Sequence, residues 1–263
     1  MFEYSISAFQ LRLQSVLPER SQSRLTRPKM QSILLAVGAI YALLVANFYN
    51  ESHGFTKHYD SMYSVWKVLP IVFLTLFTFT SGGGLSKRDR LMCSLALFFG
   101  GVGDILIGLS HEGIVPGAVA FGIGHFFYMT QFYSQPMTFV WPLVIATLGW
   151  GACIGHVCVF PLLGQHPYAV AIMTVYSLVL SACLIVTGSQ YLNRRPGDNE
   201  EGLRLRFIGF LLFYTSDSVL IMAHTGIKIP MSEMIILGTY YAAQYLILCG
   251  NIRTGIDTKV KTN

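Results

Sequence analysis

The sequence predicts an all-α polytopic membrane protein with eight transmembrane helices. Charged residues make up only 12% of the 263-residue chain, whereas soluble domains carry about 25%. Hydrophobic residues make up 53%, and the mean hydropathy is +0.53. The apolar residues form separate runs, each long enough to cross about 30 Å of hydrocarbon. This composition excludes a soluble domain, and no nucleic-acid partner is expected.

Turn-forming residues separate the apolar runs and set the predicted limits of the helices. Glycine, proline and short polar residues favour turns over continued helix, and they cluster at 81–84, 112–113, 134–136, 161–167, 195–199 and 226–230. The predicted spans are about 33–50, 63–82, 91–110, 114–133, 137–159, 168–191, 206–224 and 231–250. The first run has no A-x-A cleavage site, which predicts a retained signal anchor.

The distribution of basic residues predicts the orientation of the bundle. With a cytosolic N-terminus, the inner segments hold 15 of the 18 Lys and Arg residues, whereas Lys57 and Lys228 lie on the opposite side and Lys67 lies within a span. This bias predicts that both termini are cytosolic. The expected organisation is a basic arm over 1–30, a transmembrane domain over 31–252 and a cytosolic tail over 253–263.

A shift of 113 positions aligns part of the chain with itself. The shift pairs residues 104 with 217, 111 with 224, 113 with 226, 114 with 227, 123 with 236, 128 with 241 and 131 with 244, each pair being identical. One interpretation is two parallel four-helix repeats, with helices 3–4 equivalent to helices 7–8, which would face Asp104 toward Asp217. The alternative is coincidence in a biased composition.

Polar residues in the third, fourth, seventh and eighth runs indicate a polar layer near the middle of the membrane. Asp104 and Asp217 both lie about 16–20 Å from the predicted cytoplasmic face. Buried carboxylates are costly and mark functional sites, and two close carboxyls supply one acid and one base. Structural hydrogen bonding, core packing and snorkelling of Lys67 are the competing accounts. The other members of the layer are His125, Tyr128, Tyr240, Tyr241 and Gln244.

The segment Gly101-Val102-Gly103-Asp104 also spells the GxGD motif of intramembrane aspartyl proteases. Those enzymes carry their other aspartate before GxGD and a PAL motif after it. Here the partner aspartate comes four helices later, and PAL is absent. The HxxxH pair that ceramidase-type zinc hydrolases require is also missing. The sequence therefore excludes both classes.

A set of short motifs resembles the lysoplasmalogenase (YhhN-like) family of eight-helix membrane proteins, in particular its animal branch. The motifs are Lys67-x-x-Pro70, Val102-Gly103-Asp104, His125-x-x-Tyr128, Ser216-Asp217 and Thr239-Tyr240-Tyr241-x-x-Gln244. The likeness covers about residues 33–250, and the order and spacing of the motifs make the set specific. The arm before Ile33 is longer than is usual in the family.

The resemblance implies hydrolysis of the vinyl ether bond of lysoplasmalogens to a fatty aldehyde and glycerophosphocholine or glycerophosphoethanolamine. Asp104 and Asp217 are the expected catalytic pair, with their individual roles left open. No metal or organic cofactor is expected. The expected partners are a lysophospholipid substrate and membrane lipid, and a homodimer is left open. The implied location is the endoplasmic reticulum membrane.

The same resemblance leaves the remaining polar residues to bind and orient the substrate. These are Lys67 for the phosphate, and His125, Tyr128, Tyr240, Tyr241 and Gln244 for water, the second carboxyl or the glycerol hydroxyl. The alternative function is a proton-coupled transporter or lipid-binding membrane protein, since buried carboxylates also serve alternating access. A structural membrane protein is a third reading, and it would tolerate Asp→Asn at both positions.

Overall fold

The computed structural model describes residues 27–132 and 138–261 of the chain, and these form eight long helices without a β-strand. Each span is long and apolar enough to cross a membrane, which confirms the predicted fold class. The first 26 residues of the predicted arm lie outside the described residues. The helices are α1 (Arg27–Glu51), α2 (Ser61–Thr80), α3 (Lys87–Leu109), α4 (Ile114–Phe132), α5 (Trp141–Ile154), α6 (Pro167–Leu192), α7 (Glu200–His224) and α8 (Ser232–Lys261).

Several helices, including α1, α7 and α8, extend beyond their predicted apolar limits. Helix α7 begins at Glu200 rather than near 206, because the Asn199 side chain accepts a hydrogen bond from the Gly202 N–H at 2.8 Å. Acidic residues in the first turn also favour this start, since they face the positive end of the helix dipole. Helix α8 continues from the predicted limit at 250 to Lys261. Hydropathy identifies only the part of a helix that lies in hydrocarbon.

Helix α5 ends in an irregular segment and lies at the edge of the bundle. A π-helical turn over Gly155–Val159 and a 3-10 turn over Phe160–Leu162 follow it. Pro161 lies in the second turn, where its missing N–H is tolerated. Most residues of this span are exposed on the outside of the bundle. The peripheral position leaves α5 facing lipid rather than the polar residues of the interior.

The closest helix pairs are α3 with α4 and α7 with α8. Glycines permit this proximity, because a Cβ atom at Gly124 would lie 2.8 Å from the carbonyl oxygen of Ala96. A Cβ atom at Gly209 would lie 3.0 Å from the backbone nitrogen of Ile247. Small residues let membrane helices pack backbone against backbone. The two pairs are those that the 113-residue shift relates, and the repeat itself stays a prediction.

Candidate active site

Asp104 lies in the last third of α3 and is only 1% exposed. The ammonium nitrogen of Lys67, from α2, lies 3.2 Å from its Oδ1 atom. The hydroxyl of Tyr240, from α8, donates a hydrogen bond to its Oδ2 atom at 2.5 Å. Each carboxylate oxygen therefore has its own partner, and the three residues join three helices around one buried charge.

The position of Lys67 excludes one sequence-based account of it. The residue is 6% exposed and its ammonium group points to Asp104, so it does not snorkel to the interface. Its predicted contact with phosphate stays a prediction. The backbone carbonyl of Lys67 accepts a hydrogen bond from the Tyr241 hydroxyl at 2.7 Å. This contact lies one turn before Pro70, whose ring removes a backbone donor from the helix.

Asp217 has different surroundings on α7. It is half-buried, and its Oδ2 atom accepts a short hydrogen bond from the hydroxyl of Tyr176 on α6. The neighbouring Ser216 hydroxyl donates to the carbonyl of Ile236 at 2.9 Å, which fixes α7 against α8. Within residues 27–132 and 138–261, no lysine or arginine forms an ion pair with Asp217.

One small internal cavity brings the two aspartates together. Asp104, Asp217, Lys67 and Tyr240 all line it, and its volume is about 30 Å³. A single water needs about 10–15 Å³ of such space and at least two polar partners. The cavity therefore has room and hydrogen-bonding groups for the water that a hydrolysis consumes.

The remaining predicted site residues lie behind this cavity rather than on it. His125 is 2% exposed, and its ring stacks on Tyr176 at 5.8 Å between centroids. Within 27–132 and 138–261, neither its Nε2 atom nor the buried Tyr128 hydroxyl has a hydrogen-bond partner. Gln244 donates to the Tyr240 hydroxyl at 3.3 Å. The structure thus places Tyr240 on the cavity, and His125, Tyr128 and Gln244 in the surrounding shell.

Tyr176 was absent from the residues that the sequence singled out. It lies in a helix with no other motif residue, although the 113-residue shift pairs it with another tyrosine, Tyr63 in α2. A second indication was physical, because a tyrosine deep in an apolar span needs a partner for its hydroxyl. Only the packing of α6 against α7 shows that this partner is Asp217.

A larger vestibule connects the inner cavity with one end of the bundle. Its volume is about 590 Å³, and the connections before α2, between α3 and α4 and between α7 and α8 line it. It shares Lys57, Leu220, Glu233 and Ile236 with the inner cavity. The two spaces are therefore neighbours along one route.

The vestibule carries charged and aromatic groups. The Lys57 ammonium lies 4.9 Å from the centroid of the Tyr59 ring, which is a cation–π contact. Partial burial lowers the pKa of Lys57, and the nearby Glu233 carboxylate opposes that shift. The rings of His111 and His224 stack with centroids 4.2 Å apart. The lining of the vestibule thus combines charged and aromatic groups with aliphatic residues.

Comparison with known proteins agrees with these features. The model of the YhhN family matches residues 62–251. The human protein named lysoplasmalogenase TMEM86A is 29% identical over 189 residues, covering 69% of this chain and 74% of that protein. The pig protein named lysoplasmalogenase TMEM86B is 29% identical over 204 residues, covering 75% and 77% respectively. No solved structure matches significantly. Because the family model spans α2 to α8, this chain belongs to the YhhN family.

Proposed function

We propose that this protein is an intramembrane hydrolase that cleaves the vinyl ether bond of lysoplasmalogens. The observation that carries the proposal is the shared cavity of Asp104 and Asp217, in which one carboxyl has a cationic partner and the other has none among the residues that the structure describes. The names of the animal relatives supply the substrate class. The products are a fatty aldehyde and a glycerophospho-alcohol with choline or ethanolamine.

The different surroundings of the two aspartates suggest their roles. Asp104 faces an ammonium group and accepts a hydrogen bond from Tyr240, so its ionised form is stabilised. Asp217 has a hydroxyl partner but no cation among the described residues, and a carboxyl that is partly withdrawn from water without a cation favours its protonated form. Asp217 is therefore the proton donor, and Asp104 is the charge stabiliser.

The reaction adds one water across the vinyl ether. Asp217 protonates the alkenyl carbon that is not bonded to oxygen, which generates an oxocarbenium ion. The Asp104 carboxylate stabilises this cation electrostatically. Water from the cavity attacks the carbon bonded to oxygen, and the Asp217 carboxylate takes up the proton that the water releases. The resulting hemiacetal breaks its bond to the glycerol oxygen, giving the aldehyde and the free hydroxyl.

Lys67 has a different part in this mechanism from the phosphate contact that its sequence motif implied. Its ammonium nitrogen lies 3.2 Å from Oδ1 of Asp104. The positive charge of Lys67 therefore keeps the Asp104 carboxylate ionised, and that carboxylate stabilises the oxocarbenium ion. Tyr240 and Tyr176 hold the two carboxyls by hydrogen bonds. These three residues position the catalytic pair rather than the substrate.

The transporter alternative has less support from the helices. Alternating access at a midplane site usually depends on helices that are broken near that site. The helices that carry Asp104 and Asp217 run without interruption over Lys87–Leu109 and Glu200–His224. An unbroken pair of helices favours a fixed site in which chemistry takes place.

The test is release of aldehyde from lysoplasmenylcholine by the detergent-purified protein. We expect Asp104→Asn and Asp217→Asn each to lower kcat at least about 100-fold, which is the lower range for loss of a general acid or base. Asp198→Asn, in the connection between α6 and α7, is the matched control and should retain activity. Undiminished turnover in either site variant would refute the two-carboxylate mechanism. The head-group preference and the endoplasmic reticulum location stay predictions.

A further inference from the structure

The vestibule contains the charged groups nearest to the catalytic cavity that are not used by the proposed mechanism. Lys57 and Glu233 line both spaces, while Lys228, His111 and His224 line only the vestibule. Lys57 is half-buried and Lys228 is exposed. The volume of about 590 Å³ is within the range of small-molecule sites, about 300–1,000 Å³.

We propose that this vestibule is the head-group site of the enzyme, in which Lys57 and Lys228 bind the phosphodiester of a zwitterionic lysophospholipid. This inference rests on the proposed function, because it takes the substrate class from it. The site would hold the phosphate at the junction of the two spaces and leave the vinyl ether beside the aspartates.

The arrangement of the lysines supports this assignment. In a lysoplasmalogen only the glycerol backbone separates the ether oxygen from the phosphate ester oxygen. A vinyl ether in the inner cavity therefore places the phosphate in the adjoining space, and Lys57 lies at that boundary. Lys67 is the other lysine on the inner cavity, and its ammonium is already paired with Asp104.

The charges around Lys57 favour a zwitterion over a simple anion. Partial burial removes water that would stabilise the charged ammonium of Lys57. A phosphate bound there would stabilise the same charge as a counter-ion. The Glu233 carboxylate lies on the same wall and opposes an anion without a positive group. The choline or ethanolamine nitrogen of a zwitterion can offset that repulsion.

The experiment measures binding without chemistry. Dissociation constants are determined in detergent for a 1-O-alkylglycerophosphocholine, which has no vinyl ether to hydrolyse, and for the matching 1-O-alkylglycerol, which has no phosphate. We expect Lys57→Gln and Lys228→Gln each to weaken binding of the phosphocholine lipid about 10-fold, as for a lost charged hydrogen bond. Binding of the alkylglycerol should not change. Arg204→Gln, exposed at the opposite end of α7, should change neither value.

The outcomes separate this inference from the proposed function. Equal losses for both ligands, or no loss for either, would overturn the head-group site. Glycerophosphocholine should compete with the phosphocholine lipid, whereas competition by inorganic phosphate alone would indicate an adventitious anion only and also overturn it. Lys57→Arg should restore binding, which distinguishes a charge contact from misfolding. Phosphate-dependent binding by a wild-type protein that releases no aldehyde would support the site and refute only the proposed function.

Discussion

Removal of the Lys67 ammonium is the most informative perturbation of the buried ion pair. At 3.2 Å between Nζ and Oδ1, Coulomb's law with an effective dielectric constant of about 20 gives an attraction of about 5 kcal/mol. Both residues are buried, so Lys67→Met leaves a buried carboxylate without its cation. Breaking a buried pair in this way costs about 3–5 kcal/mol.

We therefore expect Lys67→Met to lower the unfolding temperature by roughly 10 °C. The assay is thermal unfolding in a mild detergent, followed by the fluorescence of the native tryptophans. The double variant Lys67→Met/Asp104→Asn removes both charges and retains an oxygen that can accept the Tyr240 hydrogen bond. Its stability should return to within about 1 kcal/mol of wild type, because neutral replacement of a whole buried pair is often tolerated.

Activity and stability should then separate. The double variant should recover stability but lacks the carboxylate that we propose stabilises the oxocarbenium ion, so its kcat should be at least about 100-fold below that of wild type. Arg204→Met, at an exposed position of α7, serves as the control for loss of a positive charge. Wild-type stability of Lys67→Met, or failure of the second substitution to restore stability, would refute the role assigned to the pair.

Three further outcomes follow from the packing and the orientation. Tyr176→Phe removes the hydrogen bond to Asp217, so it should lower kcat about 10-fold and shift the pH profile of kcat. An unchanged pH profile would argue against a role of Tyr176 in positioning Asp217. Gly113→Ala should destabilise the protein by about 1–3 kcal/mol, since its Cβ atom would lie 1.8 Å from a carbonyl oxygen of α3. Gly149→Ala, with no atom within 4 Å of its added Cβ, should unfold at or above the wild-type temperature. In sealed microsomes, a membrane-impermeant maleimide should label Arg195→Cys directly and Lys228→Cys only after permeabilisation, and the reverse pattern would invert the predicted orientation.

The eight helices were predictable because hydrocarbon imposes a minimum length of apolar sequence. The same rule explains the errors at the ends, since α7 starts at Glu200 and α8 continues to Lys261. Caps and polar turns extend helices beyond the hydrocarbon, and hydropathy does not measure them. The depth of a residue along its helix could also be predicted from the sequence, and this prediction placed Asp104 and Asp217 at one level. In the structure both residues line one cavity.

The rotation of each helix about its own axis could not be predicted from one sequence. It determines that Lys67 points to Asp104 rather than outward, and that Tyr176 reaches Asp217. It also directs the side chain of His125 toward a cluster of aromatic rings, where the ring centroids of His125 and Phe213 lie 4.7 Å apart. These orientations depend on which faces of α2, α4 and α6 pack inward, which long-range contacts decide.

The wall shared by the inner cavity and the vestibule has a kinetic consequence for the proposed head-group site. In that proposal, water and the lipid head group reach Asp104 and Asp217 past the same residues. A head group bound at Lys57 would block this entrance, so the reacting water would have to be in place before the lipid binds. The polar product would then leave before the next water enters, while the aldehyde stays in the bilayer. We therefore expect ordered turnover, in which hydration of the cavity precedes binding of the lipid.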